Sequence, residues 1–403
     1  MRRVVMTGLG CICAIGNTAD DVWQSAREGR SGLAEVVGVP SDKLLRKVVG
    51  QVKGYDPADH FTETERAIID RFSLLALTAT EEALADSGLD IDEDLGRRTA
   101  VILGSGVGGL TTLDESFLRL YGGGPQRVHP FTVPKMMMNA AASQVSMRHG
   151  IKGPAYCIAS ACSSSNHAIG TAFSMIRQGQ VEAAITGGSE AVVTLGGLKA
   201  WEALRVMAPD TCRPFSVDRK GMILGEGAGI VVLESLERAR ARGARIYGEV
   251  AGFGMSSDAG DLVAPSVEGC ADAITFALRD ARLDPEDIDY VNAHGTATPA
   301  NDGNETRAIR RAFGAHADRL AVSSTKSMHG HALGAAGALE AVITLRAMGD
   351  GVAPPTANFT EPDPECDLDY VPNAARDMTI RAAVSNSFAF GGLNAVLVFR
   401  RLK

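Results

Sequence analysis

The stretch AYCIASACSSSNHAIGTAFSMIRQ, residues 155 to 178, decides how the rest of the chain is interpreted. A short apolar run ends at Ile158, a turn of small residues follows, and an amphipathic helix begins beside Cys162. The unpaired N–H groups and the positive dipole end of a helix stabilise a thiolate, so this position lowers the pKa of a cysteine from its usual ~8.5. Cys162 is therefore a candidate nucleophile. A buried cysteine with a purely structural role is the alternative, and this stretch alone does not decide between the two.

The composition excludes several classes of function. The chain has 403 residues and a formal net charge of −8, which argues against nucleic acid as a partner. No run of 18 apolar residues occurs, so no transmembrane helix is expected. The seven cysteines are an odd number and are scattered along the chain, which favours free thiols in a reducing, cytoplasmic compartment.

Apolar runs alternate with amphipathic stretches along the chain, which predicts an α/β protein with parallel strand pairs. Strands are predicted at 4–6, 100–103, 155–158, 183–186, 225–234, 247–253, 288–292, 321–324, 382–385 and 395–400. Helices are predicted at 20–28, 66–87, 134–147, 200–207, 270–281, 304–313 and 334–348, with a loop at 122–135. Each half presents strands, a loop with reactive residues and a small-residue helix. We therefore expect two related halves, 1–246 and 247–403, with the site between them.

Three later stretches carry further reactive side chains: VNAHGTATPAND at 291–302, SSTKSMHGHALGAAGALEA at 323–341 and SNSFAFGGLNAVLVF at 385–399. His294 follows a strand, where a histidine is more often a hydrogen-bonded core residue than a catalyst. His329 and His331 flank a glycine, and such a pair can suggest a metal. No further ligands stand at a suitable spacing, so we expect no metal for catalysis.

Together the four stretches resemble the β-ketoacyl-acyl-carrier-protein synthases, the condensing enzymes of the thiolase superfamily. The resemblance covers the whole chain and is closest to the type II elongating synthases. It implies the thiolase fold, with five layers in the order α-β-α-β-α built from two similar halves, and it implies a homodimer. It also implies a decarboxylative condensation, in which a malonyl thioester loses carbon dioxide and the resulting enolate attacks an acyl group held on Cys162.

The resemblance assigns five catalytic residues. Cys162 would be the nucleophile. His294 and His331 would donate to the oxygen of the thioester enolate, with Lys326 beside His331. The backbone N–H groups of Phe390 and Cys162 would form an oxyanion hole. His329 is given no role, because the family usually has a threonine or a similar residue there.

Other residues are implied around the substrate. Thr296 and Thr298 would bond the phosphopantetheine arm, and Phe390 would be a gate to the acyl pocket. No resident cofactor is implied, because the 4′-phosphopantetheine arrives on the acyl carrier protein. The remaining substrate-binding candidates are Val107, Met137, Met138, Phe388 and Gly391, although ordinary core packing is the alternative for the two phenylalanines.

Two further groups of residues follow from the resemblance. Glu340 resembles a glutamate that braces the active-site base, and with Asn292, Ser385 and Asn394 it matches a structural cation site of some relatives. Docking of an acidic carrier protein needs basic residues on the surface. Its candidates are Arg66, Arg71 and Arg205, for each of which an ordinary solvated surface position is the alternative.

The chain also departs from the family pattern. Ser216, Lys220 and Met222 replace two acids and an aromatic residue, and Leu393 replaces a threonine between a glycine and an asparagine. Val263 removes a hydroxyl that helps to bind the arm. These departures favour a specialised member, such as a nodulation-type synthase or one that serves an unusual lipid or polyketide, over a housekeeping role.

Two other functions have to be weighed against the condensing enzyme. A non-catalytic partner of the chain-length-factor type is disfavoured because Cys162, His294 and His331 are all present. A thiolase that uses coenzyme A is disfavoured because thiolases use a second cysteine as base, whereas this chain has His331.

Overall fold

The structure, a computed structural model, describes residues 1–122 and 127–402. Residues 123–126 of the predicted loop lie outside the described residues. The strands are β1 (Val4–Cys13), β2 (Ala34–Glu35), β3 (Val48–Val49), β4 (Thr99–Gly104), β5 (Ala155–Ile158), β6 (Ala183–Glu190), β7 (Gly227–Ser235), β8 (Gly248–Ser257), β9 (Tyr290–Asn292), β10 (Ala321–Ser323), β11 (Val352–Ala353), β12 (Arg376–Asp377), β13 (Ala382–Ala389) and β14 (Leu393–Arg400). The α-helices are α1 (Ala19–Arg27), α2 (Glu63–Ile68), α3 (Arg71–Ser87), α4 (Glu93–Arg97), α5 (Leu110–Tyr121), α6 (Thr132–Met136), α7 (Ala140–Arg148), α8 (Ser164–Arg177), α9 (Leu195–Ala203), α10 (Leu236–Ala241), α11 (Val267–Ala281), α12 (Pro299–Phe313), α13 (Lys326–His329) and α14 (Ala336–Asp350).

Ten strands form two five-stranded halves with the same topology. One half has the order β1-β7-β6-β4-β5 and the other has β8-β14-β13-β9-β10. In each half the first two pairs are antiparallel and the last two are parallel. The halves join where β1 pairs antiparallel with β8 over three residues of each strand. This repeat is the two-fold internal similarity expected from the sequence.

Helices complete a five-layered thiolase fold. In the first half α3 packs on the outer side of β1 and β7, with α7 beside it, and in the second half α11 packs on β8 and β14, with α12 beside it. Between the two layers of strands lie α8, which touches β4, β6 and β14, and α14, which touches β7 and β13. Both central helices therefore contact both halves, and the reactive loops meet at their ends.

The central layer needs small residues because backbone meets backbone there. A Cβ atom on Gly229 of β7 would lie 2.6 Å from the carbonyl carbon of Ala338 in α14. One on Gly337 would lie 2.3 Å from Oδ1 of Asn166 in α8. The glycine- and alanine-rich sequence of α14 is thus the sequence signature of this close approach.

Several predicted elements differ from the observed ones. The strand predicted at 4–6 continues to Cys13, with a register shift between Met6 and Gly8. The helix predicted at 66–87 is two helices, because Asp70 lies between them and caps α3 by accepting from the Phe72 N–H at 3.0 Å. The helix predicted at 200–207 begins earlier, at Leu195, where Thr194 caps α9.

The remaining differences are smaller. The helix predicted at 134–147 is divided into α6 and α7 around Met137, whose backbone is extended. The predicted boundary between residues 246 and 247 falls just before the first residue of β8 and stays a prediction. Among the described residues, no helix is both long enough and apolar enough to cross a membrane.

Candidate active site

Cys162 lies on a tight turn between β5 and α8. The turn, Ala161–Ser163, is a single stretch of 3₁₀ helix that runs directly into α8. Ala161 has a φ of +49°, a left-handed conformation that a residue with a side chain rarely adopts. Ser164 Oγ accepts from the Ser160 N–H at 2.9 Å and fixes the turn. The sulfur-bearing side chain is buried, so the turn presents Cys162 to the interior and not to solvent.

The electrostatics of Cys162 differ from the sequence-based expectation. Burial raises the pKa of the thiol to about 12, although the Lys326 ammonium and the backbone N–H groups of Phe390 and of Cys162 itself oppose the shift. The predicted lowering of the thiol pKa at the helix start is therefore wrong for this structure, because desolvation of the thiolate outweighs the helix terminus. The two N–H groups that face the sulfur are nevertheless those expected to form the oxyanion hole.

His294 and His331 stand side by side. Their ring centroids are 5.4 Å apart and the rings are nearly perpendicular, at 85°. Burial and the nearby Lys326 ammonium hold the pKa of each histidine well below its usual value, so both rings are neutral. His294 Nδ1 and both ring nitrogens of His331 have no hydrogen-bond partner among the described residues. Neutral imidazoles with unused ring nitrogens suit donation to a substrate oxygen.

Lys326 and Glu340 form a fully buried ion pair behind the histidines. Burial raises the pKa of Glu340 to about 7, and the Lys326 ammonium acts against that shift. His329, which was given no role, has both ring nitrogens engaged: Nδ1 with the Gly330 carbonyl at 2.7 Å and Nε2 with Thr325 Oγ1 at 3.1 Å. His329 is thus held by hydrogen bonds within its own loop, whereas the ring nitrogens of His331 have no partner among the described residues.

One cavity brings together four of the five catalytic candidates, all except Lys326. It contains Cys162, His294 and His331 with the predicted arm-binding residues Thr296 and Thr298, whose hydroxyls are 2.9 Å apart. The other lining residues are Trp201, Val206, Met222, Val263, Pro265, Ala300, Asn301, Phe388, Ala389 and Phe390. Two of the departures from the family pattern, Met222 and Val263, therefore face the substrate space.

Val107, Met137 and Met138 lie together but outside this cavity. Their exposed fractions are 37%, 48% and 40%. The Gly109 N–H donates to the Met136 carbonyl at 3.1 Å. This bond joins the loop of Val107 to residues 136–138, the methionine segment. Lining of an acyl pocket by these residues stays a prediction, because within one chain they face outwards. Gly391 does not line the cavity, but its N–H donates to the Leu262 carbonyl at 2.8 Å and shapes the Phe390 loop.

The predicted support residues fall into two places. Asn292 and Ser385 are paired in register on β9 and β13, and the Asn292 amide reaches Thr344, one turn beyond Glu340 in α14. Asn292 Oδ1, Glu340 Oε2 and Ser385 Oγ are buried without a hydrogen-bond partner among the described residues, and such oxygens fit a small cation.

Asn394 does not join this group. Its amide donates to Ser256 at 3.1 Å and to Asp258 at 2.6 Å, and its Oδ1 accepts from the Cys270 thiol. The prediction for Asn394 is corrected accordingly, because its side chain lies with Ser256, Asp258 and Cys270 and makes no hydrogen bond to Asn292, Ser385 or Glu340 among the described residues. Within the ranges 1–122 and 127–402, no three side chains of His, Cys, Asp or Glu converge as a metal site.

The basic residues predicted to dock a carrier also divide. Arg71 forms a two-pronged ion pair with the buried Glu226, at 2.7 and 3.0 Å, which removes it from a docking surface. Arg66 and Arg205 are exposed and make no side-chain hydrogen bond or ion pair with the part of the chain that the structure describes.

Two residues of the site were not predicted from the sequence. Glu305 on α12 accepts from the N–H groups of His294 and Gly295, each at 2.7 Å, and so fixes the backbone that carries His294. Trp201 on α9 stacks on Phe390, with centroids 5.8 Å apart and the rings inclined by 24°. The only sequence signal for Trp201 is that the chain has just two tryptophans.

Comparisons with known proteins agree with this geometry. The family model "Beta-ketoacyl synthase, N-terminal domain" matches residues 1–239 and "Beta-ketoacyl synthase, C-terminal domain" matches residues 247–360. The chain is 49% identical to Nodulation protein E of Rhizobium sp. over 401 residues, which is 100% of both chains. It is 44% identical to 3-oxoacyl-[acyl-carrier-protein] synthase 2 of Synechocystis sp. over 408 residues, 99% of this chain and 98% of that one.

Solved structures give the same result. The ishigamide ketosynthase/chain length factor matches with a TM-score of 0.95 and 35% identity over 100% of both chains. A type II polyketide ketosynthase, solved with its acyl-carrier protein and a bound hexaketide, matches with a TM-score of 0.92 and 31% identity, again over 100% of both chains. With its thiolase fold and its enclosed cysteine and two histidines, the chain belongs to the β-ketoacyl synthase family of condensing acyltransferases.

Proposed function

We propose that Cys162 holds the growing acyl chain while His294 and His331 direct the decarboxylation of malonyl-acyl-carrier protein. In the first half-reaction the Cys162 sulfur attacks an acyl thioester, and the carrier thiol leaves with the proton. In the second, the malonyl C–C bond breaks and carbon dioxide leaves. The electron pair of that bond stays on the thioester, which becomes an enolate. The enolate carbon attacks the Cys162 thioester, the C–S bond breaks, and β-ketoacyl-carrier protein is released.

The observation that carries the proposal is that these groups converge in one cavity lined mainly by apolar atoms. Two neutral histidines can hold the enolate oxygen without a metal, because each supplies an N–H donor in a desolvated site. The N–H groups of Cys162 and Phe390 point at the sulfur, where the oxyanion of the acyl transfer would form. Thr296 and Thr298 supply hydroxyls for the amides of the phosphopantetheine arm.

The direct test is reconstitution with acyl-carrier and malonyl-carrier protein. We expect β-ketoacyl-carrier protein and carbon dioxide in equal amounts from the native chain, and neither acyl adduct nor condensation from Cys162→Ala. Decarboxylation without condensation, or activity only alongside a second ketosynthase chain, would instead support a chain-length-factor role. Turnover with acetyl-coenzyme A alone would support a thiolase.

We further propose a specialised pathway for the product. The identity to Nodulation protein E is higher than that to the Synechocystis synthase, over nearly the same length. Val263 and Met222 line the cavity, so the departures from the housekeeping pattern touch the substrate. Rescue of growth in a bacterium that lacks its own elongating synthase tests this: we expect poor rescue, whereas full rescue would support a fatty-acid housekeeping role.

A homodimer and a cytoplasmic location are also proposed. β5 is an edge strand whose residues Ala155 and Tyr156 are exposed, and the first half also has other exposed apolar side chains. These exposed side chains include Phe117, Val133, Met137, Met138 and Met147. Light scattering of the purified chain is expected to give twice the chain mass of 42.2 kDa. All seven cysteines are free in the structure, which suits a reducing cytoplasm.

A further inference from the structure

The Phe390 ring rests on one aromatic partner at the wall of the catalytic cavity. Trp201 and Phe390 are stacked, with ring centroids 5.8 Å apart and planes inclined by 24°, within the range in which aromatic pairs attract each other. Both rings line the cavity that contains Cys162. The stack therefore forms part of the cavity wall, and Trp201 packs against the apolar cluster that includes Cys162, Leu198 and Met222.

Trp201 belongs to an anchored element. Thr194 caps α9 by accepting from the Gly197 N–H at 3.0 Å, and the Gly196 N–H donates to Asp114 at 3.1 Å. Glu202, the residue after Trp201, accepts from the N–H groups of Leu45 and Arg46 at 2.6 and 2.7 Å. These contacts fix the helix that carries the indole.

Phe390 begins the short turn that joins β13 to β14. Gly391 and Gly392 follow it with φ values of +82° and +69°, a region that glycine enters without strain. The loop contacts the 258–262 segment through backbone bonds, from the Gly391 N–H to Leu262 and from the Asp258 N–H to Gly392. The Phe390 side chain, in contrast, is held by the indole of Trp201.

We propose that Trp201 is a positioning residue that holds Phe390 in the closed position beside Cys162, and that the acyl chain enters when this stack opens. This inference rests on the proposed function and on the gate role that the family resemblance implies for Phe390. It goes beyond that function by naming the residue that sets how readily the gate opens.

Intrinsic fluorescence reads the stack directly, because the chain has only two tryptophans. The other, Trp23, is buried in a different core cluster, and its Nε1 donates to Asp350 at 2.7 Å. We expect acylation of Cys162 by the octanoyl thioester of N-acetylcysteamine to change the emission of the native chain. The change should be absent in Trp201→Phe, which retains Trp23, and in Cys162→Ala, which cannot be acylated.

A rate measurement provides the second readout. Trp201→Leu removes the stack, and we expect it to load Cys162 about two- to tenfold faster, the effect of losing one aromatic pair. Trp201→Phe retains an aromatic partner and is expected to load within about twofold of the native rate. A loss of folding in Trp201→Leu would be visible in the far-UV circular dichroism. The fluorescence comparison of the native chain with Trp201→Phe does not use Trp201→Leu.

The outcomes separate the gate from the reaction. If mass spectrometry finds the octanoyl adduct on Cys162 but native emission does not change, or Trp201→Phe keeps the change, the positioning role of Trp201 is wrong and the proposed function stands. A folded Trp201→Leu variant that loads at the native rate or slower also overturns it. If no adduct forms on Cys162 in the native chain, the proposed function fails and the gate assignment fails with it.

Discussion

Cys162 combines a nucleophile's position with a thiol that burial keeps protonated. A raised pKa of about 12 means that the thiolate fraction increases about tenfold for each pH unit over the whole neutral range. We therefore expect the alkylation of Cys162 by iodoacetamide, followed by mass spectrometry, to accelerate about tenfold per unit from pH 7 to about pH 9. A plateau below about pH 8 would mean that the helix terminus prevails and that the thiol pKa is lowered.

His294 allows the two half-reactions to be separated. Acyl transfer needs the Cys162 sulfur and the oxyanion hole, whereas decarboxylation needs donors to the enolate oxygen. Loss of one well-placed donor costs about 10²–10³ in rate. We expect His294→Ala to acquire an acyl group on Cys162 but to release labelled carbon dioxide from malonyl-carrier protein slower by that factor. If His294→Ala instead failed to load and still decarboxylated malonyl-carrier protein, the histidine would be the base for the thiol.

The position of Cys162 between a strand and a helix made it a candidate nucleophile, whereas the roles of His294 and His331 came from the family resemblance. Cys162, His294 and His331 each stand in a short motif, and the structure brings all three to one cavity. Trp201 and Glu305 were not predictable, because their contacts depend on how distant elements pack. Arg71 shows the opposite error: it was expected on a docking surface, but Glu226, 155 positions later in the sequence, holds it.

At the scale of elements, β7 and α14 approach so closely that only small residues fit between them. A Cβ atom on Gly229 would lie 2.6 to 2.8 Å from the backbone of Ala338 and Leu339, none of which can move alone. We expect Gly229→Ala to lower the free energy of unfolding by about 1–3 kcal/mol, the usual cost of overpacking. Urea unfolding at a fixed protein concentration measures it.

Gly349 provides a matched control in the same helix. It lies near the end of α14, and a Cβ atom added there would meet nothing within 4 Å, so Gly349→Ala should raise the free energy of unfolding by about 0.5–1 kcal/mol. Equal destabilisation by both substitutions would show that the contact with β7 is not what requires glycine at position 229.

The Gly104–Gly109 loop and the methionine segment form another pair of elements, joined by the Gly109–Met136 hydrogen bond. Methionine is flexible and can yield to a long or bent chain. A larger, stiffer side chain at position 107 would take up space in the predicted pocket. We expect Val107→Phe to shorten the accepted acyl chain, measured as product length by mass spectrometry. Val217→Phe, at an exposed position, is the control. An unchanged product length in Val107→Phe would remove these residues from the acyl pocket.

For the whole molecule, the alternation of strands and helices was enough to predict an α/β fold with two related halves. The exact layers came from the resemblance, because periodicity cannot say which helices lie between the sheets. The breaks in the long helices were not predicted, since Asp70 interrupts an otherwise helical pattern only because the Thr112 backbone and hydroxyl also bind its carboxylate. Where the local sequence suits either a continuous or a broken helix, tertiary contacts decide where each helix begins and ends.

The two halves are joined by more than the short β1–β8 pairing. Asn166 of α8 donates to the carbonyls of Ser385 and Ala395 in the second half, at 3.2 and 3.1 Å. In return, α14 of the second half covers β7 of the first. Residues 1–246 expressed alone would expose to water the faces of α8 and β7 that the second half covers.

We therefore expect the fragment 1–246 to lack a cooperative thermal unfolding transition and to recover one when 247–403 is expressed with it. Acyl loading of Cys162 should return only in the co-expressed pair, because His331, Lys326 and the Phe390 loop come from the second fragment. A fragment 1–246 that unfolds cooperatively on its own would mean that its core does not depend on α14, and that the division at residue 246 separates two independently folding units.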